Sequence, residues 1–126
     1  MVPSLSGSVS QNFPMTGTIV ILSTCASADE ADKLARLLVE RRLAACVNVV
    51  PGIRSFYRWE GAIETGSEWL LLIKSSRHLF EEVSEVLRGA HSYEVPEVIA
   101  LDIVAGSSKY LDWLRNNIGP EGDLQL

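Results

Sequence analysis

Two histidines and two cysteines are all that these 126 residues offer to a soft metal ion or a nucleophile, and none stands in a CxxC or HxxxH pattern. Spacing alone therefore indicates no zinc-ribbon or zincin-like centre. Cys25 and Cys46 are too few for a bridge-stapled secreted scaffold, and both are expected to stay reduced in a cytoplasmic domain. Long apolar runs are also missing. A run such as Trp69 to Ile73, which none exceeds, is far short of the roughly 20 residues that cross a bilayer, so no membrane role is expected. Positive charge is sparse: 11 Lys and Arg against 16 Asp and Glu leave a net charge of -5, with Arg41–Arg42 the one tight basic pair. Phosphate backbones are held by clustered cations, so a nucleic-acid partner is not expected either. Neither GxGxxG nor GxxxxGK[ST] occurs, which leaves nucleotide chemistry without a motif. The first 28 residues carry no charged side chain. "MVPSLSGSVSQNFPMTG" has no basic n-region and no apolar h-region, and reads as neither a secretory signal nor a transit peptide. Residues 1–15 are expected to form a disordered leader, 16–119 a single folded domain and 120–126 a flexible tail.

What is present is strongly patterned. "TGTIVILST" (16–24) is apolar and β-branched without clean alternation, as for a central strand covered on both faces. "SADEADKLARLLVERRL" sets Ser27 and Glu30 at capping-box spacing and lines Ala31, Leu34, Leu37 and Leu38 along one helical face. Two long strands follow around a tight turn at Glu60–Gly61, and Pro51–Gly52 requires a bulge, a kink or an edge in the first of them. "RHLFEEVSEVLRGA" repeats the helical spacing through Leu79, Val83, Val86, Leu87 and Ala90. A strand is expected within "EVPEVIALDIVAG" and a last helix in "SSKYLDWLRNNIG", capped by Ser107 or Ser108. The order βαββαβ plus a C-terminal helix is that of an α+β, ferredoxin-like sandwich: a four-stranded antiparallel sheet with helices on one face.

The hairpin is too long for one domain. Residues 44–57 would extend about 45 Å at roughly 3.3 Å per residue, more than twice a typical strand of about 17–20 Å. The overhang, with Phe56, Tyr57 and Trp59 on it, needs a partner, and strand extension into other copies of the chain supplies one. An obligate oligomer is expected.

Topology also places the polar residues. The end of the first strand and the entry to the fourth fall at the same end of the sheet, so Cys25 and His91 share a rim. A thiolate and an imidazole suit copper or zinc, and a nearby carboxylate such as Glu97 could complete a set. Three alternatives stand beside this: Cys25 as a small buried hydrophobe, His91 as a loop imidazole bonded to a backbone carbonyl, and Glu97 in an edge salt bridge. As a nucleophile and base, Cys25 and His91 lack a third group or an oxyanion turn, so an enzyme is not expected. His78 reads as solvated, Cys46 as packing, and Arg54, Arg58 and Trp59 as a solvated or interfacial group that would otherwise grip an anion.

Three segments together resemble the CutA divalent-cation (copper) tolerance family: "TCASADEADKLARLLVERRLAACVNVVPGIRSFYRWEG", "EWLLLIKSS" and "HSYEVPEVIALDIVAGSSKYLDWL". The resemblance spans roughly residues 18–115. It implies a ferredoxin-like fold assembled as a homotrimer whose long hairpins pair with neighbouring subunits. It further implies a part in the response to copper or other divalent metal ions, with Cys25 and His91 at the positions of a metal site proposed for the family. Three positions depart from the family pattern. Ser92 stands in place of a usual proline, Ala90 where some members carry a second histidine, and Ala26–Ser27 in place of a common Pro–Asp. Tyr57, Trp59, Glu60, Tyr93 and Trp113 are candidates for the trimer interface, where large rings with a polar handle are favoured. A PII-like trimeric signalling or scaffold module, binding a small ligand or protein in its inter-subunit clefts, shares this strand order and is the rival reading.

Overall fold

A computed structural model describes residues 16–120; the expected leader at 1–15 and, apart from Pro120, the expected tail at 120–126 lie outside the described residues. The elements run β1 (Thr18–Cys25), α1 (Ala28–Glu40), β2 (Cys46–Trp59), β3 (Ala62–Ser76), a 3-10 turn (Arg77–Leu79), α2 (Phe80–Ala90), β4 (Ile99–Asp102) and α3 (Ser108–Asn116). The four strands form one antiparallel sheet in the order β2-β3-β1-β4. Among the described residues no helix is long and apolar enough to cross a membrane.

Each helix forms where its pattern requires. The Ser27 hydroxyl accepts the Glu30 amide at 3.1 Å to cap α1, which then buries Ala31, Leu34 and Leu38. The α2 helix buries Val83 and Leu87, and the Ser107 hydroxyl accepts the Tyr110 amide to cap α3. These faces meet the odd-numbered residues of β1 and β3: Ile19, Ile21, Cys25, Leu71 and Ile73 are all buried. The opposite face carries Val20 and Leu22 with their partners Leu72 and Leu101, and these are only half-buried or exposed. The two-sided cover expected for β1 is thus not supplied among the described residues.

The hairpin outruns the rest of the sheet. The β1 strand pairs with Trp69–Ser76 of β3, so among the described residues the segment of β3 from Ala62 to Glu68 has only β2 beside it. The register shifts between Val50 and Ile53, where Pro51 cannot donate to a ladder and Gly52 takes φ of 75°. Trp59 pairs with Ala62 across the two-residue turn Glu60–Gly61, both residues at positive φ. Phe56, Tyr57, Trp59 and Ile63 stand exposed on this two-stranded ribbon.

The strand expected within 94–106 is confined to Ile99–Asp102, which pair with β1. The residues before it, Pro96 among them, form an irregular segment whose first residues, Ser92 and Tyr93, are bonded to Glu30 of α1 and Glu68 of β3.

Candidate functional site

The rim expected from topology exists. The end of β1 and the start of the 91–98 segment touch through the His91 ring, whose side chain is fully buried. His91 Nε2 lies 2.7 Å from the Thr24 carbonyl oxygen. A carbonyl can only accept, so Nε2 carries the proton. Nδ1 is left to accept the Tyr93 amide at 3.0 Å. Both ring nitrogens are therefore engaged within the chain.

Cys25 is also without exposed surface, just beneath the rim. Its Sγ donates to the Ser27 carbonyl at 3.8 Å. Burial first, then the negative charge of Glu30 and, less, that of Glu68, push the thiol up from 9.0 to about 11 against the opposing effect of the Ser27 contact. At neutral pH it is a thiol and not the thiolate that ligates metal or attacks carbon.

The group that ties the rim together is Glu30, read from sequence only as a capping residue. One carboxylate oxygen accepts the Ser92 amide at 2.6 Å. The other accepts the Ser92 hydroxyl at 3.0 Å and the Ala26 amide at 3.3 Å. The first oxygen also stands 3.6 Å from His91 Nδ1. Partial burial alone would raise this carboxyl, but the Ser92 and Ala26 donors outweigh it and hold it below its ordinary 4.5. Glu68 plays a similar part from β3: it accepts the Tyr93 hydroxyl at 2.6 Å. Burial and this bond push the Tyr93 phenol above its ordinary value. No spacing signal marks Glu68. The nearest clue is that it pairs with Ile53, directly past the Pro51–Gly52 bulge.

Glu97 is placed apart from this pair. It is exposed and lines a cleft of about 920 Å³ between the ribbon and the 91–98 segment, whose walls include Tyr57, Trp59, Glu64, Glu68, Tyr93 and Glu94. Neither Cys25 nor His91 lines that cleft. Among the described residues no three His, Cys, Asp or Glu side chains gather so as to hold a metal ion. A protonated thiol, an imidazole with both nitrogens occupied and a carboxylate elsewhere do not, as they stand, fit a resident metal.

The remaining candidates divide by exposure. Tyr57, Trp59 and Trp113 are about half exposed, Glu60 is exposed in the turn, and Tyr93 is half-buried by its bond to Glu68. Alternation along the ribbon turns Arg54 and Arg58 away from the face that carries Trp59, and Arg54 lies over the Phe56 ring. Cys46 pairs with Lys74 on the open face of the sheet, and both cysteines are free thiols. His78 is exposed beside the Ser76 hydroxyl.

Comparison with known proteins places these features in context. The profile of the CutA1 divalent ion tolerance protein family matches residues 19–117. A divalent-cation tolerance protein CutA from Thermus thermophilus is 49% identical over 100 residues, covering 79% of this chain and 97% of the relative. The chloroplastic protein CutA of Arabidopsis thaliana is also 49% identical over 100 residues, but this chain spans only 55% of its length. A solved structure of the Thermus thermophilus divalent cation tolerance protein superposes with a TM-score of 0.79 at 48% identity, covering 81% of this chain and 99% of that one.

Proposed function

The chain belongs to the CutA1 divalent ion tolerance family, and from that membership we propose that it acts as a homotrimer in divalent-cation tolerance. The observation that carries the assembly is the unsupported ribbon. Residues 53–59 and 62–68 pair only with each other, and a two-stranded ribbon is marginal in water without a covered apolar face. The half-buried open face of β1 and β3 adds a second surface that a neighbouring copy would cover. The order β2-β3-β1-β4, with helices on one face, supports the ferredoxin-like reading of the fold. The protein is read as cytoplasmic and non-enzymatic. Two free cysteines support the first, and a buried protonated thiol beside an imidazole with no free nitrogen supports the second.

Copper or another divalent ion is the ligand that the family name brings forward, with Cys25, His91 and Glu97 as the donors to test. Their arrangement does not support retention of an ion at these three residues together. Titration of Cu(I), buffered by a competing chelator, and of Zn(II) into the reduced protein tests this. Binding unaltered by the Cys25→Ser, His91→Ala double substitution is expected. A site of one ion per chain that vanishes in the double variant would overturn it.

The cleft favours a second reading, in which the trimer is a PII-like module that binds a small ligand or partner between subunits. The support is a concave surface with aromatic and acidic walls, one of them pinned by the Tyr93–Glu68 bond.

A further inference from the structure

We propose that the two faces of the ribbon are the two halves of one interface, the arginine-bearing face of each copy lying in the acidic cleft of the next around a closed ring of three. This rests on the homotrimer reading above and names the surfaces that meet. A cleft filled by a copy is closed to the ligand of the second reading. Symmetry sets the requirement. A dimer can join through one self-complementary patch, whereas a three-membered ring needs two different patches on every chain, each fitting the other.

The ribbon supplies two such patches. Pairing of Ile53 with Glu68, Tyr57 with Glu64 and Trp59 with Ala62 sets these residues on one face. Arg54, Phe56, Arg58, Ile63 and Thr65 alternate onto the other. The first face carries carboxylates and no cation, and it continues into the cleft with Glu94, Val95 and Glu97. The second carries two guanidinium groups and no carboxylate. Among the described residues none of Arg54, Arg58, Glu64, Glu94 and Glu97 enters an ion pair. Apolar surface accompanies both sets of charges. Phe56 is 64% and Ile63 68% exposed on the arginine face, and Val95, between Glu94 and Glu97, is 82% exposed. Opposite charge contributes little by itself at an exposed surface. It sets partner and register, while the rings and aliphatic groups supply the buried area. Two arginine faces, or two acidic clefts, repel each other, which disfavours a two-fold pairing of like surfaces. Residues 53–59 extend about 23 Å at roughly 3.3 Å per residue, so the arginine face projects a strand's length beyond the part of β3 that β1 covers.

The test is sedimentation equilibrium of four full-length proteins, with the far-UV circular dichroism of each: wild type, Arg54→Glu with Arg58→Glu, Glu64→Lys with Glu97→Lys, and all four substitutions together. Wild type is expected at trimer mass. Either pair of reversals alone should weaken assembly at least roughly tenfold, and the combined protein, whose faces have exchanged sign, should recover to within about threefold of wild type. Lys33→Glu with Arg36→Glu on α1 changes the net charge as the arginine reversal does and should leave the assembly unchanged. If a reversed protein lacks the wild-type spectrum, glutamine at the same positions replaces it, and removing both sets of charges should then weaken assembly no more than removing one. Equal stability in all four proteins, or a combined protein weaker than either pair alone, would overturn the inference and leave the assembly standing. Wild type at protomer mass would refute the assembly, and the inference with it.

Discussion

Removing the Glu30 carboxylate should loosen the 91–98 segment before it unfolds the domain. The carboxylate is one of the few side chains that reach from α1 into this segment, and its own side chain is only 13% exposed. It accepts from the Ser92 amide, the Ser92 hydroxyl and the Ala26 amide, a set that joins the β1–α1 turn to the start of the segment. A hydrogen bond to a charged acceptor contributes about 1.5–3 kcal/mol when well buried. Here the donors lie near solvent and would rehydrate in a variant, so Glu30→Ala is expected to cost about 2–3 kcal/mol and Glu30→Gln about 1 kcal/mol. Amide exchange at Ser92 should then accelerate roughly 30- to 150-fold in Glu30→Ala. The assay pairs exchange with urea unfolding at fixed protomer concentration, because the midpoint of an oligomer depends on it. The pH dependence has a definite sign. The folded carboxyl titrates below its ordinary 4.5, so its contribution is complete above that value and disappears as pH falls through the folded value. The gap between wild type and Glu30→Gln should be constant above pH 4.5 and close below it. Loss of less than about 0.5 kcal/mol with unchanged Ser92 protection would refute the role given to this residue.

Other expectations follow from the same geometry. In a Cys46→Ser background, Cys25 should react with a disulfide reagent at pH 8 at least roughly a hundredfold more slowly in the native protein than in urea, since it is buried and titrates at about 11. Equal rates would show that the thiol is open. Gly61 holds φ of 83° with open space where a side chain would sit, so Gly61→Ala isolates backbone strain and should cost about 1–2 kcal/mol by denaturant unfolding. Leu34, fully buried between α1 and the sheet, should lose about 2–5 kcal/mol as alanine, measured the same way. Replacing Trp59 and Ile63 together by serine should promote dissociation on dilution, followed by light scattering, without removing the far-UV signal of the domain.

Much of the fold was legible because periodicity and punctuation agreed. Ser27 and Ser107 cap where their sequences indicate, Pro51–Gly52 marks the bulge, and Glu60–Gly61 makes the turn. The expectation for β1 missed a different kind of fact. Val20 and Leu22 are apolar as though covered, but nothing among the described residues covers them, and a single sequence does not say what does. The strand expected within 94–106 is there, but it occupies only Ile99–Asp102, and Pro96, which cannot donate to a ladder, stands in the irregular stretch before it. At the rim, topology brought Cys25 and His91 together, but proximity does not reveal where lone pairs point. The Thr24 carbonyl and the Tyr93 amide, which take both nitrogens, are backbone groups with no sequence signature. Glu30 and Glu68 were hidden for the related reason that a carboxylate's partner across 62 or 25 residues leaves no local pattern.

The central claim is that one chain leaves its ribbon and one sheet face to be completed by two others. Sedimentation equilibrium of the full-length protein across a hundredfold range of concentration tests it directly. The account requires a single species at about three times the 13.8 kDa protomer, holding at the lowest concentration. A stable, folded species at 13.8 kDa would contradict it, because the exposed ribbon would then stand without a partner.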